Sequence, residues 1–133
     1  TTRDQVKFFM TRAIGASNRK ISLKEGNSKE WSKNNAVMTV KEKHKLEAHL
    51  EHEYPEIFES LYKGVGIYLQ GLEGDILLQT MLQLLDKNIP SLPIHDAVYV
   101  QQRAATKAQK ALESSWMEVL GVSFKPVTKI EKA

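Results

Sequence analysis

The ten residues SLPIHDAVYV, Ser91 to Val100, decide how the chain is read. Two short runs, Ser91-Leu92-Pro93-Ile94 and Val98-Tyr99-Val100, flank His95-Asp96-Ala97. β-Rich runs of that length around a turn-forming Asp predict a tight antiparallel hairpin over about 91–101, with Asp96 at the lip. Upstream the period is helical. From about Val65 to Leu85, Ile67, Leu69, Leu72, Ile76, Leu77, Met81, Leu84 and Leu85 make a helix that is apolar nearly all round. Such a helix is expected to be central. Downstream, Ala104 to Leu120 is predicted to be amphipathic, with Ala104, Ala108, Leu112, Trp116 and Val119 on one stripe and Gly121 as its cap. Val122 to Ile130 is expected to return as a third strand. The predicted class is therefore α+β and helix-rich: a short hairpin plus a C-terminal strand, packed on a long central helix.

The N-terminal half reads as capped helices. Thr2 and Gln5 form a capping box, and Val6, Phe9, Met10, Ala13 and Ile14 recur at helical spacing until Gly15-Ala16-Ser17. Residues 18–37 are polar and predict irregular structure or short helical pieces. A second capping box, Thr39 with Glu42, opens a charged helix to about Glu53, and Pro55 suits the first turn of another that Gly64 ends. There is no internal repeat, linker or low-complexity stretch, so residues 1–133 are expected to form one domain. The first residue is Thr1 rather than Met, which fits a C-terminal fragment of a longer chain.

Composition excludes several classes. With 41 % hydrophobic and 26 % charged residues the chain is not disordered or collagen-like. No apolar run approaches the roughly 20 residues of a membrane span, so no membrane partner is expected. The absence of cysteine excludes a disulfide scaffold and a thiolate zinc site, and favours a reducing, cytoplasmic setting. The net charge of +3 is unevenly spread: residues 1–50 carry +6, residues 51–100 carry −6 and residues 101–133 carry +3. A basic third beside an acidic one fits a polyanion-binding surface next to a carboxylate cluster, and equally fits solvated helix faces.

Three groups of residues could carry chemistry. In HKLEAHLEHE, His49 and Glu53 lie one helical turn apart, a spacing metals use, but without an HExxH or a second cluster the run reads as a solvated face. His95-Asp96 holds a carboxylate rigidly at a sheet lip, where a hard cation is well served. On the first helix Arg3, Lys7 and Ile14 fall within about 40° of one another at 3.6 residues per turn. Arg as a fork and Lys as a point charge suit a triphosphate.

Taken in order, these elements resemble a known architecture. Arg3-x-x-x-Lys7-x-x-Met10-Thr11-x-Ala13-Ile14-Gly15 is similar to the fingers helix of the single-subunit polymerases, which comprise the family A DNA polymerases and the phage-type RNA polymerases. Ile94-His95-Asp96 resembles their last palm motif, and Leu69-Gln70-Gly71 through Leu78 resembles the long helix between, which begins with Gln-Gly in the DNA polymerases. The resemblance spans nearly the whole chain and implies a phage- or plasmid-like template-directed nucleotidyltransferase using two-metal phosphoryl transfer. It implies Mg²⁺ or Mn²⁺ at Asp96, with His95 beside it as catalytic. It places nucleoside triphosphate at Arg3, Lys7, Ile14 and Gly15, and DNA or RNA along Arg12, Arg19, Lys20, Lys24 and Gln70.

The chain departs from the family at four points. Lys7 to Gly15 is eight residues where nine are usual, Ile14 stands for the Tyr, and Ala97 follows the Asp in place of Glu or Ser. The family's other metal-binding Asp lies upstream of the fingers helix, and Glu73 and Asp75 match no motif. An isolated chain is therefore expected to be inactive, needing the upstream part of its own sequence. The alternative reading is a non-catalytic nucleic-acid-binding module of the same fold.

Overall fold

The structure, a computed structural model, describes residues 1–24 and 37–132, except for the side chains of residues 21, 22 and 24. The chain divides into two compact units, Thr1–Tyr68 and Leu69–Ala133.

In the first unit, α1 (Arg3–Gly15) starts on the expected capping box: Thr2 Oγ1 accepts from the Gln5 amide and Gln5 Oε1 accepts from the Thr2 amide. These bonds satisfy donors that the first helical turn leaves without partners. After the short α2 (Arg19–Lys24), α3 (Val40–Glu53) repeats the device with Thr39 and Glu42. The Thr39 amide donates to Glu42 at 2.6 Å and holds that carboxyl below its usual range. Phe9, Ala13, Leu23, Met38, Leu46, Leu50 and Leu61 form one buried cluster, with Val6, Met10, Ile14, Phe58 and Tyr62 packed around it.

Pro55 opens α4 (Pro55–Glu59) as its sequence predicts, but that helix ends five residues before Gly64. The backbone turns back at Tyr62, with φ 61°, and at Gly64, with φ 68°, and no α-helix passes through left-handed residues. The long helix α5 (Val65–Asp86) follows. Its second residue, Gly66, lies so close to α1 that a Cβ there would stand 3.2 Å from the Gly15 Cα, so only glycine fits without a shift.

The second unit holds most of α5, β1 (Leu92–Ile94), β2 (Ala97–Tyr99), a 3₁₀ turn at Gln102–Ala104 and α6 (Ala105–Leu120). Gly121 caps α6 in the left-handed conformation. Leu84 of α5 and Ala108 and Ala111 of α6 form its core, covered by Ile89, Val98 and Val100. The class is helix-rich α+β, as expected, and three finer expectations are corrected.

The long helix is not enclosed: Ile76, Thr80 and Leu84 are buried, while Ile67, Tyr68, Leu69, Leu78, Leu82 and Leu85 are exposed. One hairpin and one helix cover a single stripe. Ala104, just before α6, and Ala108 are buried as expected, but the stripe continues through Ala111 and Ser115, each one position before the bulkier Leu112 and Trp116, which with Val119 are half-buried. Periodicity allows both stripes and does not choose between them.

The C-terminus also differs from the expected strand. No strand forms over 122–130, and the sheet among the described residues is the hairpin alone. Pro126 has no amide to give a ladder. The tail is tied instead to α6 by side chains: Phe124 meets the Trp116 ring edge-on at 5.3 Å, Lys125 pairs with Glu113, and Thr128 accepts from Gln109 and donates to Glu113.

Ser115 is fully buried and its hydroxyl has no hydrogen-bond partner among the described residues. Ser115→Ala removes an unsatisfied group and raises helix propensity, so it should stabilise the protein by about 1 kcal/mol. Urea titration checks the sign, and a loss of stability would show that the hydroxyl is bonded in solution.

Candidate functional site

The hairpin forms with the register Leu92 to Tyr99, Pro93 to Val98 and Ile94 to Ala97, leaving His95-Asp96 as a two-residue turn. His95 takes the left-handed conformation, φ 53°, which His adopts more readily than most residues. The backbone of His95 thus makes the turn, and both side chains are exposed at its tip. Val98 faces the core of its unit, while Leu92, Ile94 and Tyr99 stand exposed.

One carboxylate on a rigid turn is a suitable oxygen ligand for a hard cation, but it cannot replace that cation's water by itself. Among the described residues no group of three or more His, Asp or Glu side chains is gathered to help it. Glu73 and Asp75 are exposed on α5. The described residues therefore do not make up a divalent-cation site alone. The chain should bind Mg²⁺ or Mn²⁺ only at about millimolar concentration or weaker. Calorimetry would contradict this by finding micromolar affinity, and would move the site elsewhere if Asp96→Asn left that affinity intact.

On α1, Arg3 and Lys7 are exposed one turn apart, and Gly15 is exposed at the helix end. Ile14 instead packs on the core cluster. Arg12 is half-buried and Lys20 exposed, while the Lys24 side chain lies outside the described residues. These residues all belong to the first unit; Gln70, exposed on α5, belongs with His95 and Asp96 to the second.

Arg19, expected on a nucleic-acid surface, is committed to a protein partner. Its Nε donates to Glu47 Oε1 at 2.8 Å and its Nη2 to Oε2 at 2.7 Å. The Tyr62 hydroxyl donates to Glu47 Oε1 at 2.7 Å, and His44 Nδ1 stands 3.1 Å from Oε2. Burial works to raise the Glu47 pKa, but Arg19, Tyr62 and His44 together outweigh it and hold the carboxyl below its usual range. Burial, then the bond to Glu47, pushes the Tyr62 phenol above its usual range, so it stays a donor. Close by on the same helix, Lys43 is buried and donates to the Leu23 carbonyl at 2.7 Å, and burial lowers its pKa.

The charged run on α3 is thus only partly the solvated face that its composition suggests. Its sequence does carry a signal of this: Lys43, Leu46, Glu47 and Leu50 fall at i, i+3, i+4 and i+7, so the two charged residues share the leucines' inward stripe.

No protein-family model matches the chain, and neither a curated protein nor a solved structure does. No helix among the described residues is long and apolar enough to cross a membrane.

Proposed function

We propose that this chain is the fingers-and-palm part of a template-directed nucleotidyltransferase. The observation that carries the reading is the hairpin: an exposed Asp96 at a two-residue turn, following a 22-residue helix and preceding an amphipathic one. The same order holds in the polymerases that the sequence resembles. In this reading Arg3 and Lys7, both exposed on α1, take the triphosphate. Asp96 supplies one carboxylate of a Mg²⁺ or Mn²⁺ site whose other ligands come from the upstream part of the protein. The cation would neutralise charge on the phosphates. DNA or RNA would be contacted by Arg12 and Lys20 of the first unit and, separately, by Gln70 of the second.

The test is nucleotide incorporation by the full-length protein on several templates, with both sugar types. Lys7→Ala should raise the nucleotide KM and also lower kcat, because phosphate charge grows towards the transition state. No incorporation by the parent protein would overturn the enzymatic reading. The second reading, a non-catalytic nucleic-acid-binding module, draws on Ile14, which stands where the family has Tyr and packs on the core cluster instead of facing a nucleotide. Salt-dependent binding of DNA or RNA without incorporation would favour it.

A further inference from the structure

The C-terminal end of α1 is held by a segment some fifty residues further along the chain. The last carbonyls of a helix have no partner within it. Here the Tyr62 amide donates to the Ala13 carbonyl at 2.8 Å and the Gly64 amide to the Ala16 carbonyl at 3.0 Å. Two residues on, Gly66 closes against the Gly15 backbone. Three contacts from residues 62–66 thus grip residues 13–16.

The grip depends on an unfavourable backbone. Tyr62 has φ 61°, a region that disfavours an aromatic residue and persists only where its surroundings impose it. Two contacts impose it. The Tyr62 ring packs on the core cluster, and its hydroxyl is tied to Glu47. Glu47 is 4 % exposed and is held in turn by the two-pronged bond from Arg19, four residues beyond α1. The chain entering and the chain leaving this junction are therefore pinned to one carboxylate.

We propose that Tyr62 is a positioning residue for α1, the helix that carries Arg3 and Lys7, with Glu47 and Arg19 locking it in place; this rests on the polymerase-like reading above. The lock sets how the C-terminal end of α1, and with it the whole helix, sits against residues 62–66. Loosening it lets the helix end shift without removing any group that touches nucleotide.

Tyr62→Phe in the full-length protein keeps the ring and deletes the bond to Glu47. Hydrogen exchange at the amides of residues 62 and 64 should accelerate about tenfold, the scale of one bond to a charged acceptor. The nucleotide KM should rise several-fold with kcat changed less. Glu47→Gln, which weakens the Arg19 contact together with the bond from the hydroxyl, should move both in the same direction by at least as much. A merely structural role would lower the active fraction and leave KM unmoved.

Unchanged exchange at both amides overturns the lock. Faster exchange with an unchanged KM overturns the positioning role. Lys7→Ala, run in parallel, separates this from the function itself. If KM responds to Lys7→Ala but not to Tyr62→Phe, only the positioning fails. If the parent uses no nucleotide, the reading fails and the positioning role with it.

Discussion

On the proposed function, Asp96→Asn should abolish nucleotide incorporation by the full-length protein, by about a thousandfold or more, while leaving its affinity for nucleic acid nearly unchanged. Asn keeps the shape and turn propensity of Asp and removes only the charge. Asp96 is exposed at the hairpin tip, so the substitution should alter stability by under about 0.5 kcal/mol. The whole effect then falls on the reaction. A carboxylate that shares a cation with the transferred phosphate contributes several kcal/mol to the transition state, and each 1.4 kcal/mol is about tenfold in rate. Nucleic-acid binding rests on cations meeting phosphates, which a carboxylate opposes, so its loss cannot weaken that binding. Single-turnover kinetics beside a filter-binding titration measures both. Retained turnover removes Asp96 from the chemistry, and a matching loss of nucleic-acid affinity makes it a binding residue.

The largest effect on stability should come from Glu47→Gln. The carboxylate serves Arg19, Tyr62 and His44 at once and is almost out of water. Arg19 is about half exposed, 53 %, and so recovers much of its hydration when the pair is broken. The cost lies mainly in the amide buried against donors meant for an anion. We expect about 2 kcal/mol at neutral pH.

The pH dependence of that cost has a definite sign. The Glu47 pKa is held lower in the folded protein than in the unfolded chain, where it is about 4.3. The ionised carboxyl therefore stabilises the fold fully above that value, and the contribution is lost as pH falls through the folded pKa. Urea titrations of parent and variant should differ most near pH 7 and converge below about pH 4. A gap that is constant across this range would assign the loss to packing and not to charge.

The features legible in the sequence are those decided within one turn of chain. Both capping boxes, the start of α4 at Pro55, the span of α5 and the hairpin around His95-Asp96 form where they are expected. Each rests on a hydrogen bond or dihedral preference between residues at most a few positions apart. For the same reason local spacing alone places Asp96 at a turn and Arg3 beside Lys7.

The expectations that the structure overturned are choices between alternatives that are equal locally. Residues 122–130 have strand-like composition, yet Phe124 and Thr128 find partners on α6 that no local pattern specifies. On α6 Ala111 and Ser115 are buried and Leu112 and Trp116, one position on, are half-buried, although either pair fits the period that Ala108 begins. Arg19 reads as a free surface cation until α3 brings Glu47 to it across 28 positions. The sequence by itself determined the helices, their caps and the turn that presents Asp96, because short-range bonds settle those. Only the tertiary structure decided which charges are committed and which stripes are covered, because burial depends on segments distant in sequence that compete for the same surface.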